Sequence, residues 1–265
     1  MTRASREWRI SLSEGELEAA WWGAPPEAAP SFVLLHEGLG CISLWRDLPA
    51  WLAGRTGFGV FAYSRLGYGK SGRNPAPWPL DYLRREAGWV LPRVLDAAEI
   101  RQAVLIGHSD GGSIAAIHAA TQDDPRIAGL VLIAPHFLME PQVLAGITAA
   151  REAYLESDFR VRLGRYHAHV DDAFWGWNRA WLDPAFARDF DLSGDLRNVS
   201  KPMLVIQGED DPYGTAAQPE AAARLARAEV EVAMIPGARH APHLEAPDRT
   251  RPLIAAFSER MLKRI

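Results

Sequence analysis

The sequence predicts an α/β fold: a mostly parallel sheet, doubly wound, with helices on both faces. Three observations carry that prediction. Short runs of apolar, β-branched and aromatic residues recur at 31–35, 59–63, 103–106, 127–134, 202–207 and 230–235, the signature of strands buried on both faces. Stretches with helical spacing separate them, and strands that alternate with helices imply parallel pairing through right-handed crossovers. The third observation is Gly107-His108-Ser109-Asp110-Gly111, a Gly-x-Ser-x-Gly segment placed where one of those strands passes into a helix.

The elements follow in order. Residues 7–12 and 16–22 read as an antiparallel hairpin around Ser13-Glu14-Gly15. The strand at 31–35 ends in His36-Glu37-Gly38-Leu39-Gly40. Leu44, Trp45, Leu48, Trp51 and Leu52 then share one face of a helix. The strand at 59–63 leads into a turn-rich loop, 64–72. Residues 80–98 are mostly helical, with Pro92 expected to kink or break them. After the strand at 103–106, Ile114, Ala115, Ile117 and His118 continue as a helix. The alternation resumes at 202–207, with a helix near 215–226, the strand at 230–235, and a last helix burying Leu253, Ile254, Phe257 and Met261. Residues 137–199 interrupt it. They are amphipathic and aromatic, with Trp175, Trp177 and Trp181 in one short stretch, and are expected to form an inserted helical cap. The expected organisation is a core from 1–136 and 200–265 with a cap at 137–199 over the carboxyl edge of the sheet, where open α/β sheets bind ligands.

Composition narrows the function. The chain has 265 residues, 48% hydrophobic and 23% charged, which fits one globular domain with an insertion. Its formal charge of −4 supplies no basic stripe, so nucleic acid and anionic membranes are not expected partners. The single cysteine, Cys41, excludes an internal disulfide or a multi-cysteine metal cluster. It is expected to be a buried, inert thiol. The first residues lack an apolar leader pattern, and no run reaches the length of a membrane span, so a cytoplasmic protein is expected. A monomer or homodimer is the expected assembly.

A serine in a strand-to-helix elbow is cramped. Its neighbours two positions away must lack side chains, and its Oγ is pushed clear of the sheet towards the helix N-terminus, where free N–H groups favour negative charge. Such a nucleophile needs a base, and the base an orienting carboxylate. Two later strand ends offer both: Gly208-Glu209-Asp210-Asp211-Pro212, and the loop from Pro236 to Glu245 with His240 and His243.

Taken together these segments resemble the α/β-hydrolase superfamily across nearly the whole chain. His36-Glu37-Gly38-Leu39-Gly40 is similar to its His-Gly oxyanion loop, with the departure that Glu37 stands between His and Gly. Ser64-Arg65-Leu66-Gly67-Tyr68-Gly69-Lys70-Ser71 resembles its Arg-Gly-x-Gly-x-Ser loop. Gly208-Glu209-Asp210-Asp211 resembles its acid turn, and Gly237-Ala238-Arg239-His240 with Pro242-His243-Leu244-Glu245 its histidine loop. The Ser-Asp-Gly-Gly form of the elbow resembles valacyclovir-hydrolase-like members. The resemblance implies a cofactor-free, metal-free serine esterase with Ser109 as nucleophile, His240 as base and Asp211 as orienting acid. It also implies an oxyanion hole from the N–H groups of Asp110 and Leu39, with Gly38 as the alternative to Leu39. The implied partner is a small-molecule carboxylic ester. Carbon–carbon hydrolysis of a meta-cleavage product, or lactone opening, uses the same triad. A ligand-binding receptor on a hydrolase fold is the reading from another class, and perhydrolysis a side activity. Haloalkane and epoxide hydrolases are disfavoured because they put Asp in the position of Ser109.

Further residues invite a role in substrate binding. Asp110 follows the nucleophile; its carboxylate either complements the helix dipole or attracts a cationic substrate group. Glu37 brings a second carboxylate to the facing loop. Trp175, Trp177 and Trp181 either line an apolar pocket or pack the cap. Asp210 competes with Asp211 for the acid position. His167-Ala168-His169-Val170-Asp171-Asp172 looks like a metal-binding string, but on a helix His169 points away from His167 and Asp171, and an ordinary polar cap helix is expected. His108 is expected to support the site from behind, and His243 to pack its loop.

Overall fold

The computed structural model describes residues 4–263. The outer ends of the two core segments, 1–3 and 264–265, and with them the start of the N-terminal stretch read for a leader, lie outside the described residues. Among the described residues eight strands form one sheet in the order β1-β2-β4-β3-β5-β6-β7-β8. The hairpin β1 (Arg6–Leu12) and β2 (Gly15–Trp22) is antiparallel, and β2 joins β4 (Gly59–Tyr63) antiparallel as well. β3 (Ser31–Leu35), β4, β5 (Ala103–His108), β6 (Ile127–Ile133), β7 (Met203–Gly208) and β8 (Val230–Ile235) all run parallel. Their carboxyl ends therefore open onto one edge.

The two-residue period of each strand splits the core into two layers. Val33, Leu105, Leu130 and Leu132 face one layer, while Phe32, Leu34, Val131 and Ile133 face the other. The second layer is covered by α1 (Leu48–Thr56) and by the C-terminal helix Pro247–Leu262, through Leu48, Leu52, Ile254 and Phe257. Leu253, expected in that seam, is 39% exposed, because the helix has already turned its face to Ile254. The first layer is covered by the helices that follow β4, β5 and β7. These are α2 (Tyr82–Arg85) with α3 (Leu91–Ala97), α4 (Asp110–Thr121), and a later helix, Ala217–Leu225.

Two expected helices differ in detail. The one expected across Leu44 to Leu52 is two pieces, a 3₁₀ turn at Ile42–Trp45 and then α1. Arg46 between them has φ 57, which no α-helix tolerates, and Pro49 suits the first turn of the new helix. Pro92, by contrast, does not stop its helix. A π-helical turn at Glu86–Val90 precedes it and carries the chain on into α3.

Between β6 and β7 the chain is helical: α5 (Pro141–Glu156), α6 (Phe159–Leu163), α7 (Val170–Trp181), α8 (Pro184–Asp189) and α9 (Ser193–Leu196). A bridge between Leu138 and Asp191, and the Leu192 N–H bond to the Phe137 carbonyl at 2.8 Å, clip its start to its finish. Val143, Ile147, Phe174 and Trp181 of this segment join the first core layer. The remaining helices, Ala217–Leu225 named above, Pro242–Glu245 and Pro247–Leu262, are α10, α11 and α12. No helix is long and apolar enough to cross a membrane, among the described residues.

Candidate active site

Ser109 sits between β5 and α4 with φ 52 and ψ −116, a strained conformation for a non-glycine residue. The glycines around it are required by contact. A Cβ on Gly111 would lie 1.9 Å from the Leu35 carbonyl oxygen, and one on Gly107 would lie 2.2 Å from the Gly111 oxygen. The elbow thus needs both positions bare, and the strained turn brings Ser109 to the wall of a cavity of about 100 Å³.

That cavity gathers residues from five strand ends and the inserted helices. Gly38 and Leu39 follow β3, Ser109 and Asp110 follow β5, His136 follows β6, Tyr213 follows β7 and His240 follows β8. Trp177 and Trp181 close it from α7, and Ile147 from α5. Asp211 stands just behind His240. Its two carboxylate oxygens lie 2.9 and 2.8 Å from His240 Nδ1, and they also accept the Tyr213 N–H at 2.8 Å and a Gln207 amide N–H at 2.7 Å. Burial pushes this carboxyl up, but the hydrogen bond and charge of His240 outweigh it and hold the carboxyl below its ordinary value. Asp210, its neighbour, is exposed. Among the described residues no hydrogen bond joins Ser109 Oγ to His240; such contacts in free enzymes are often long and tighten only with substrate bound.

The N–H groups of Gly38, Leu39 and Asp110 make no hydrogen bond among the described residues, and all three residues line the cavity. Gly38 must be bare, since a Cβ there would lie 2.2 Å from Trp177 Nε1. The loop is shaped from behind. His36 Nδ1–H donates to the Glu37 carbonyl at 2.7 Å, and its Nε2 accepts the Arg65 N–H at 3.0 Å. His167 Nε2–H donates to the Leu39 carbonyl at 3.0 Å while its Nδ1 accepts the Gly69 N–H at 2.9 Å. The metal-like string at 167–172 is thus divided: His167 ties two loops together, and Asp171 accepts from Tyr154 and Arg160.

Two expected substrate contacts are corrected. Trp175 does not reach the cavity. Two residues along a helix turn the side chain by roughly 200°, so Trp177 and Trp181, four apart, share the inner face and Trp175 faces outward between Arg151 and Arg179. The carboxylate of Asp110 is engaged internally. It accepts the Tyr82 hydroxyl at 2.6 Å and lies 3.6 Å from the buried Arg65 guanidinium, while Tyr82 also accepts the Trp181 indole N–H at 2.8 Å. A cationic substrate group finds no free carboxylate there. Glu37 does line the cavity, but it folds back over Gly40 to within 3.4 Å of His108 Nδ1.

His108 Nε2–H donates to the His240 carbonyl at 2.7 Å, so both ring nitrogens face acceptors, which suits an imidazolium. Burial lowers the His108 pKa, but Glu37 raises it further, and the net shift is upward. His243 is buried against the rings of Trp45 and His108. Burial pushes the Cys41 thiol up to about 12. The sequence reading missed His136. It is buried, its ring stacks on His240 at 5.7 Å, and its Nδ1 has no partner. Burial pushes its pKa down to about 3, so it is a neutral polar group in the cavity wall. A histidine following a strand end was the available signal.

Residues 32–253 match the model of the alpha/beta hydrolase family. The chain belongs to that family. As an alpha/beta hydrolase it is 28% identical, over 207 residues, to a non-heme chloroperoxidase of Streptomyces lividans, a match covering 65% of this chain and 72% of the relative. Among solved structures it superposes on a hydrolase from Pseudomonas aeruginosa with a TM-score of 0.72 and 25% identity, covering 96% of this chain and 99% of that one. It also superposes on the enol-lactonase of Burkholderia xenovorans with a TM-score of 0.73 at 23% identity, covering 94% and 98%, a likeness of fold.

Proposed function

We propose that this alpha/beta hydrolase is a serine esterase that cleaves a small carboxylic ester through an acyl-enzyme on Ser109. The observation that carries the reading is His240, bonded to Asp211 at 2.8 Å and lining the same cavity as Ser109. His240 Nε2 takes the hydroxyl proton as Ser109 Oγ bonds to the carbonyl carbon, and returns it to the departing alkoxide. Water then adds to the acyl carbon, losing its proton to His240, and the bond to Oγ breaks as His240 returns that proton to Ser109 Oγ. Asp211 holds the Nδ1–H tautomer and stabilises the imidazolium. The free N–H groups of Asp110 and Leu39 receive the oxyanion, with Gly38 as the alternative donor, and together with the start of α4 are worth about 3 kcal/mol of transition-state stabilisation.

The cavity of about 100 Å³ favours a short acyl group. Residues 137–199 serve as the cap: Ile147, Trp177 and Trp181 supply its apolar lining and exclude water from the reaction. A fluorophosphonate probe should label Ser109, and Ser109→Ala should abolish labelling and lower p-nitrophenyl acetate hydrolysis by about 10³-fold or more. Absence of labelling of the folded protein would overturn the proposal.

A further inference from the structure

We infer that the substrate carries an anionic group, carboxylate or phosphate, on the part that projects beyond the cavity, and that Arg46, Arg165 and Arg239 receive it. The inference rests on the esterase reading above and adds the substrate's charge.

The cavity is too small to hold more than a small acyl or alkoxy group, so the rest of a substrate must lie in its entrance. Two clefts meet the cavity at Leu39. One, of about 420 Å³, shares Glu37 and Leu39 with it and is walled by Arg46, Arg162 and Arg165. The other, of about 330 Å³, shares Leu39 and Tyr213 and is walled by Arg162 and Arg239. Four guanidinium groups from three separate segments thus line the two clefts that border the cavity, in a chain of net charge −4.

Three of the four lack a carboxylate partner among the described residues, as do arginines elsewhere such as Arg101 and Arg151; what marks these three is their place beside the cavity. Arg73, Arg84, Arg126, Arg160 and Arg251 each meet a carboxylate. Beside the cavity Arg162 meets Asp158, the residue just before α6, but Arg46, Arg165 and Arg239 have no carboxylate within 4.0 Å among the described residues. Arg46 instead lies over the Tyr166 ring at 5.2 Å and donates to its hydroxyl at 3.0 Å. The two carboxylates nearest the reaction do not cancel this charge. Asp110 is buried against Tyr82 and Arg65, and Glu37 faces His108. The planar guanidinium suits a carboxylate or phosphate oxygen pair.

The test uses matched esters: 4-acetoxybenzoate against methyl 4-acetoxybenzoate for charge on the alcohol side, and monoethyl adipate against diethyl adipate for charge on the acyl side. In at least one pair, the ratio of kcat/KM for the anionic over the neutral ester should fall about tenfold in Arg46→Ala/Arg165→Ala, and similarly in 0.5 M NaCl for the wild type. Arg101→Ala, which removes a charge at the opposite end of β5, should leave both ratios where they were. 4-Acetoxyphenyl phosphate distinguishes the anions: a gain for either supports the subsite, and the larger gain names the group. Turnover of all esters with both ratios unmoved by the arginine changes and by salt would overturn this inference alone. No turnover, with no labelling of Ser109, would overturn the esterase reading and this one with it.

Discussion

Asp211→Asn tests the proposed chemistry at its most constrained point. The carboxylate holds three donors: His240 Nδ1–H, the Tyr213 N–H and the Gln207 amide. Asparagine must set its NH₂ against one of them. The Tyr213 N–H is backbone and cannot turn, whereas Gln207 can invert its amide, since its Oε1 has no partner and its Nε2 gives up only a long contact of 3.4 Å to the Gly214 carbonyl. The asparagine therefore gives its oxygen to Tyr213 and its NH₂ to Gln207 and His240. Nδ1 of His240 then accepts, the ring proton moves to Nε2, and Ser109 faces a donor where it needs an acceptor. The charge loss adds to this. With the imidazolium charge spread over the ring at about 4 Å and an effective dielectric near 20, the lost attraction is about 4 kcal/mol, or about 10³-fold in rate. The wrong tautomer carries the expected loss of kcat/KM towards about 10⁴-fold. The assay is p-nitrophenyl acetate hydrolysis from pH 5 to 10, with thermal unfolding to show that the variant is folded. A folded variant retaining more than about a tenth of the wild-type rate would refute the assignment of Asp211.

Three further outcomes follow from the same geometry. Trp181 on the cavity wall packs against Phe186 and Phe190, which with Leu83 and Ile117 wall a neighbouring cleft of about 250 Å³. Trp181→Ala should join the two and move the best p-nitrophenyl ester from short to longer acyl chains, at a stability cost of about 3–5 kcal/mol; an unchanged chain-length ranking would count against the proposed acyl pocket. Tyr82→Phe removes a donor to Asp110 and strands the Trp181 indole N–H, and should destabilise by about 2–4 kcal/mol, seen as a Tm lowered by about 5–15 °C. Burial, which outweighs the attraction of Arg65, raises the Glu86 carboxyl from 4.5 to about 7. The folded state binds that proton more tightly than the unfolded one, so the stability it confers is present below about pH 4.5 and lost as pH rises towards 7. Glu86→Gln should therefore stabilise by about 1–3 kcal/mol at pH 8 and by little at pH 4, measured by urea unfolding.

The sheet was legible because each buried strand is a short apolar run bounded by turn residues, and parallel order then placed the ends of β5, β7 and β8 on one edge. Ser109, Asp211 and His240 could be found from those ends. What stayed hidden depends on contacts between distant residues. Nothing local marks Arg65 as the partner of Asp110, 45 positions on, and so the carboxylate looked available to a substrate. The break at Arg46 was masked because Leu44, Trp45 and Leu48 keep a helical spacing across it, while the left-handed φ of Arg46 is set by how the loop seats. Trp175, Trp177 and Trp181 looked alike until the helical phase of α7 was known. Charge composition hid the entrance too, since an overall −4 says nothing about where unpaired guanidiniums collect.

The two carboxylate pairs beside Ser109 also bear on the oxyanion. A carboxylate beside a developing negative charge opposes it, and Ser109 has two near by. Each is matched: Asp110 by Arg65 and the Tyr82 hydroxyl, Glu37 by His108. Glu37 raises the His108 pKa while His108 holds the Glu37 carboxyl well below the usual carboxylate range, so each favours the other's charged form. His108 also donates to the carbonyl of His240, which couples this pair to the position of the proposed base. Removing one partner, as in His108→Ala, would leave Glu37 uncompensated beside the N–H groups proposed to receive the oxyanion. The rate should then fall even though Ser109, His240 and Asp211 are intact. Glu37→Gln removes the charge itself and should cost less, and that ordering separates an electrostatic effect at the oxyanion from a loss of packing around His240.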